Sequence, residues 1–165
     1  VAIAKKILKY LQDKKYHFSI IEHKTTFTAW DTAQTEKINP KMVTKTLVLK
    51  TDRYYFLAVL SGNRNLDKQK LLKIINTKRK KDKLKVYKKI SFAREAWMKK
   101  NIPGKVGATP PFGELLKLDV YFDNLLARNK KIYIGSGEYV SSFLIKVNEY
   151  IKKENIKRGS FSQKK

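Results

Sequence analysis

Apolar positions first recur at a helical interval. Ile7, Leu8 and Leu11 lie three and four apart with lysines between them, which predicts a helix over residues 4–12. Residues 17–21, His-Phe-Ser-Ile-Ile, read as a strand, and Thr28 with Asp31 three positions on resembles a capping box opening a second helix. Two strongly β-like runs follow, residues 45–49 and 54–59, and Thr51, Asp52 and Arg53 between them predict a hairpin turn. Asp67 is placed to cap a helix carrying Leu71, Leu72 and Ile75. Ser91 is expected to cap another, running through Trp97 to Lys99. Residues 101–113 hold Pro103, Gly104, Gly107, Pro110, Pro111 and Gly113 and read as a loop. Short β runs are predicted at residues 120–122, 131–134 and 143–147, with Asn148 opening a last helix to about Lys153.

Helices and strands alternate without a steady β-α-β rhythm, and two hairpins are expected. That predicts an α+β fold with a mixed, largely antiparallel sheet. One domain over residues 1–155 accounts for the apolar pattern, and the lysine-rich residues 156–165 read as a basic tail or linker.

Composition changes the picture at one point. The 165 residues carry 38 Lys and Arg against 14 Asp and Glu, a formal charge of +24. A field of that sign attracts polyanions. Lysine supplies most of it, so a compositional preference for lysine competes with selection for binding. The charge is densest between Lys78 and Lys89, with eight basic residues and a short strand expected around Leu84 and Val86. No cysteine is present, which excludes a disulfide framework, a thiolate zinc site and a cysteine nucleophile, and fits a cytoplasmic setting. No apolar run approaches the ~18 residues of a membrane span, so no membrane partner is expected.

Familiar catalytic patterns are missing. Gly104-Lys105 lacks the rest of a phosphate-binding loop, and Gly135-Ser136-Gly137 lacks the spacing of a nucleophile elbow. His17 and His23 are the only histidines; six apart and without clustered carboxylates, they make a poor metal site. Neither a metal nor a cofactor is expected.

Five stretches in order carry a resemblance: Ile21-Glu22-His23, Val43-Thr44-Lys45-Thr46-Leu47-Val48-Leu49-Lys50, residues 58–64, Gly107-Ala108-Thr109-Pro110-Pro111-Phe112-Gly113, and Ile132-Tyr133-Ile134-Gly135-Ser136-Gly137. Over residues 16–151 the chain resembles the YbaK/ProX family of aminoacyl-tRNA deacylases, relatives of the editing domain of prolyl-tRNA synthetases. The resemblance implies a mixed sheet curled around a pocket with helices outside. It implies hydrolysis of the aminoacyl ester of mischarged tRNA, most of all proline tRNA carrying cysteine or alanine. The partners it implies are that tRNA and prolyl-tRNA synthetase, in cis or in trans.

Carried over residue by residue, Lys45 becomes the pocket lysine. His23, Thr46, Gly107, Pro111, Phe112, Gly113, Gly135, Ser136, Gly137 and Ser142 become its surroundings. The Lys45-Thr46 pair resembles relatives that clear cysteine, whereas many relatives carry an acidic residue about where Ser142 stands. Lys78, Arg79, Lys80, Lys81 and Lys83 are expected to contact tRNA phosphates. The alternative reading is a non-catalytic tRNA-binding or docking module of the same fold.

Overall fold

The computed structural model describes residues 5–25 and 37–165. The helix expected at Thr28 and Asp31 lies outside them. Helix α1 (Lys5–Asp13) buries Ile7 and Leu11 of the expected stripe together with Tyr10, while Leu8 is only partly buried. Strand β1 (Phe18–Glu22) follows, then the long hairpin of β2 (Thr44–Thr51) and β3 (Tyr54–Ser61). Its turn is two residues long, and Asp52 takes a positive φ of 53° there. After β4 (Arg64–Leu66), Asp67 accepts from the Lys70 N–H at 3.0 Å and opens α2 (Lys68–Lys81).

Next come β5 (Ser91–Phe92), α3 (Glu95–Asn101), the short α4 (Gly113–Leu116) and β6 (Asp119–Asp123). A 3-10 turn (Leu126–Arg128) leads into β7 (Lys131–Gly135), β8 (Ser141–Lys146) and α5 (Val147–Lys153). The chain closes with β9 (Ile156–Gly159) and β10 (Ser162–Lys164). No helix among the described residues is long and apolar enough to cross a membrane.

The strands form a five-stranded sheet in the order β5-β2-β3-β6-β9, a three-stranded sheet β1-β8-β7, and the pair β10-β4. Pairing is antiparallel except where β6 lies parallel to β3 and β9 parallel to β6. The fold is therefore α+β with a mixed, largely antiparallel sheet. A parallel bridge between Val43 and Tyr133 joins the two larger sheets. The Tyr133 N–H donates to the Met42 carbonyl and the Thr44 hydroxyl to the Tyr133 carbonyl, both across that seam.

Strand alternation divides the hydrophobic residues into two cores. Val48, Leu57 and Val59 face Ile132, Ile134, Phe143 and Ile145 of the small sheet. Leu49, Phe56, Ala58 and Leu60 face Leu71 and Ile75 of α2. Tyr10 and Tyr16 both donate to the buried Glu154 carboxylate, at 2.8 and 2.6 Å, and tie α1 to the end of α5. Burial raises the pKa of Glu154 and the two tyrosine donors oppose that.

Four expectations need correction. Residues 156–165 are no tail: β9 and β10 belong to the sheets, Phe161 is fully buried, and Asp123 accepts from the Phe161 N–H and the Ser162 hydroxyl. Lysines at the exposed positions hide this from a reading of charge alone. Leu84 and Val86 form no strand and stay exposed, because α2 runs on to Lys81 and takes the first half of the basic run. Ser91 pairs with Lys50 instead of capping a helix, and α3 starts after Arg94. The last helix opens after Lys146, not at Asn148.

Phe161→Ala should cost about 3–5 kcal/mol of unfolding free energy in a denaturant titration, the usual loss for truncating a buried phenylalanine. A loss under about 0.5 kcal/mol, as for a surface position, would show that the C-terminal strands are not part of the cooperative core.

Candidate functional site

The seam between β2 and β7 fixes which residues meet. Bridge partners share a face, so Val43 and Tyr133 point the same way. Lys45 follows Val43 by two positions and Gly135 follows Tyr133 by two, so strand alternation keeps each on the face of its bridge residue. Gly135 pairs with Ser142 on β8, and Ser142 pairs with Ile21 on β1. Ile134 and Phe143, the inward neighbours, are buried in the first core. Lys45, Gly135 and Ser142 therefore form a row across three strands on the opposite face.

His23 completes it from the end of β1. Its N–H donates to the Val140 carbonyl at 2.9 Å. Its ring Nδ1 lies 2.8 Å from the Lys24 carbonyl, which only accepts, so Nδ1 carries a proton. In the neutral ring Nε2 is then an acceptor, and Ser142 Oγ donates to it at 3.0 Å. A base held by one hydrogen bond and a hydroxyl held by the base is the arrangement that proton transfer needs. The sequence reading placed both residues near the pocket and missed that they touch, because they lie 119 positions apart.

A loop covers this face. Gly135 has no side chain because none fits: a Cβ there would lie 2.6 Å from the Ala108 and Thr109 carbonyls. Gly104, at φ 87°, sits equally close to Gly137, where a Cβ would come within 2.5 Å of the Gly137 Cα. Backbone bonds stitch the two segments, with Lys105 N–H to the Gly137 carbonyl at 2.7 Å and Gly137 N–H to the Ala108 carbonyl at 2.8 Å. Lys105 also pairs with Glu138 at 3.4 Å. Among the described residues, the Gly107 and Thr109 N–H groups make no hydrogen bond. They are two of the loop's unbonded donors, of the kind that can stabilise a developing negative charge.

Lys45 is half-buried, and burial followed by the nearby Lys165 charge lowers its pKa below the ordinary lysine value. Ser136 is fully buried; its hydroxyl is spent on the Ser141 carbonyl and hydroxyl, both at 2.8 Å, so it locks the turn. Thr46 pairs with Val59 and so faces the first core, opposite to Lys45. Its hydroxyl is buried without a partner among the described residues. Pro111 accepts from the Tyr150 hydroxyl, and Phe112 packs among Tyr10, Tyr16 and Tyr150 in the core. Gly113 starts α4 against Leu118 and Val120. The structure thus joins His23 to Ser142, pairs Ser142 with Gly135, and sets the Gly135–Gly137 turn against the loop that carries Gly107, with Lys45 on the outward face of β2; Thr46, Phe112 and Gly113 lie elsewhere.

The basic residues proposed for phosphate contact lie apart from this site. Lys78, Arg79, Lys80 and Lys81 form the last turn of α2, and Lys83 follows. Lys78 pairs with Asp82, and Arg79 lies 4.0 Å over the Tyr87 ring. Thr51, at the hairpin end of β2, donates to the Lys89 carbonyl. Six residues of strand, about 20 Å, separate that end from Lys45.

Comparison with known proteins gives the family and the fold. The family model described as the aminoacyl-tRNA editing domain matches residues 23–153, and the chain belongs to that family. The matched span opens at His23 and contains the whole row. No curated protein sequence matches the chain. Among solved structures, the hypothetical protein APE2540 superimposes with a TM-score of 0.82 at 17% identity, covering 96% of this chain and 100% of that one. A protein described as a "putative trans-editing enzyme for prolyl tRNA synthetase" gives 0.80 at 17% identity, covering 98% and 99%. One described as a "putative signal transduction protein" from Marinobacter aquaeolei VT8 gives 0.70 at 11% identity, covering 98% of this chain but 31% of that one. At these identities the likenesses establish the fold.

Two substitutions test the geometry. Gly104→Ala forces a Cβ against backbone at a positive φ and should cost about 1–3 kcal/mol, read from thermal unfolding. Thr46→Val should leave stability unchanged or raise it by up to about 1 kcal/mol, because a buried hydroxyl without a partner is costly. A clear loss at Thr46 would mean that the hydroxyl has a partner in the folded protein.

Proposed function

We propose that this chain hydrolyses the ester joining a wrong amino acid to the terminal adenosine of tRNA. The substrate class is proline tRNA carrying cysteine or alanine, met either within prolyl-tRNA synthetase or beside it in trans. Family membership supports the editing chemistry, and the neighbour described as an editing enzyme for prolyl tRNA synthetase supports the proline assignment. The observation that carries the reading is the row itself. A half-buried lysine, a bare glycine and a hydroxyl bonded to a histidine share one face beneath a glycine loop.

The roles follow from the chemistry of each group. The Lys45 ammonium holds a phosphate or ribose oxygen of the terminal nucleotide. Water attacks the acyl carbon, and its proton passes to Ser142 Oγ as the Ser142 proton moves to His23 Nε2. The carbonyl oxygen takes negative charge within reach of the Gly107 and Thr109 N–H groups. The bond from the acyl carbon to the ribose oxygen then breaks, and that oxygen leaves with the proton from His23. A cysteinyl ester has a second route, because its own thiol can attack the carbonyl. The missing carboxylate at Ser142 is then replaced by the hydroxyl–imidazole pair.

Single-turnover deacylation of proline tRNA charged with cysteine, alanine, serine or proline tests this. Cysteine or alanine should be released and proline spared, with Lys45→Ala slowing release by roughly 10²–10³-fold. His23→Asn should slow alanine release by about 10²–10⁴-fold, the range for losing a general base, and affect cysteine far less. Release of none of the four would sink the proposal.

The pH dependence has a definite sign. Lys45 loses its charge at a lower pH than an exposed lysine, so substrate affinity should fall as pH rises through that lowered value. Lys45→Arg, which stays charged, should flatten that limb.

A further inference from the structure

Two concavities open on the upstream side of the same seam and share Asn129. The first, about 380 Å³, is lined by Lys41, Arg64 and Arg128 together with Ser61 and Asn63. The second, about 500 Å³, is lined by Lys130, Lys131 and Lys146 beside Val147 and Ile151. Six cations face the pair and no carboxylate does. Five of them are exposed, Arg64 being half-buried, and among the described residues none of the six has an ion-pair partner.

Not every hollow of this chain is so charged. A third concavity of about 450 Å³, beneath α4, is also lined by three lysines, Lys14, Lys117 and Lys153. There Glu114, Asp119 and Glu154 balance them. The same lysine-rich chain therefore leaves one hollow neutral and another wholly positive.

Position matters as much as sign. The Lys41 carbonyl accepts from Ser61 and from Asn129, which fixes the loop before β2 to the 3-10 turn. Lys41 and Lys131 each precede the Val43–Tyr133 bridge by two residues, and Lys45 follows it by two. A strand advances ~3.3 Å per residue, so the basic hollows begin within about 15 Å of Lys45. The charge lobe at Lys78–Lys83 lies at the other end of β2.

We propose that these paired hollows seat the sugar-phosphate backbone of the tRNA whose ester reaches Lys45. The inference rests on the editing reading for the identity of the RNA. A concave cluster of cations without ion-pair partners fits a chain of phosphates. A lipid surface calls for protruding apolar side chains, and the exposed ones, Ile20, Leu84, Val86 and Phe92, all lie outside both hollows.

The experiment measures the affinity of the full chain for uncharged proline tRNA across a salt series. It compares wild type, Lys41→Gln/Arg128→Gln and Lys80→Gln/Lys81→Gln, with melting temperature as the folding control. Losing two phosphate contacts should lower the slope of log affinity against log salt by about two in the first double variant. Affinity there should fall at least about tenfold, while the second variant changes far less.

An unchanged slope in the first variant, or no tRNA binding by wild type, overturns the proposal. So does loss of binding to vesicles of anionic lipid with tRNA affinity retained, which would assign the hollows to a membrane. Because uncharged tRNA is the probe, absent hydrolysis with a reduced slope rejects the editing chemistry and leaves the RNA seat standing.

Discussion

One backbone contact organises the molecule: the parallel bridge at Val43 and Tyr133. It is a single bridge between two sheets that otherwise face each other across a core. It sets the register of β7 against β2, and register decides which side chains share a face. A slip of one residue would bring Ile134 to the face of Lys45 and bury Gly135. The lysine, the bare glycine and the serine line up because that seam admits one alignment. Thr44 reinforces it from the side with a hydroxyl bonded to the Tyr133 carbonyl.

The covering loop is held at both ends by different means. At one end Gly104 and Gly137 meet backbone to backbone, an approach closed to any side chain. At the other, Pro111 accepts from the buried Tyr150 hydroxyl and Phe112 sits among aromatic rings. Residues 105–110 span the gap between these anchors. Phe112 and Gly113 thus contribute by fixing where the loop ends. Their place in a motif reflects anchoring.

Much of the fold was legible because its signals are local. The Leu47–Val48–Leu49 and Tyr55–Phe56–Leu57 runs announce a hairpin, Asp67 announces α2, and Ile7 and Leu11 announce α1. The site was legible only in part. Lys45, Gly135 and His23 came from the family resemblance that the motifs carry. The His23–Ser142 hydrogen bond is a fact of pairing between distant strands, which no local pattern encodes, whereas the opposite orientation of Thr46 follows from alternation along β2. Charge misled at the C-terminus. Lysines on the outward positions of β9 and β10 outweighed the few inward residues, Phe161 and Ser162, that hold those strands in place.

The place of β9 and β10 has a consequence for how the chain reaches its native state. β9 pairs in parallel with β6, and β10 pairs with β4 almost a hundred positions earlier. Asp123 waits for the Phe161 N–H and the Ser162 hydroxyl. During synthesis the β2–β3 hairpin forms from neighbours, but the edge of β6 stays open until residues 156–164 have emerged. An open strand edge beside an apolar face is a template for pairing with other chains. Closure of loops this long is slow. The vulnerable interval of this fold's biogenesis is thus set by β9 and β10, and a ribosome paused shortly before them would expose that edge for longest.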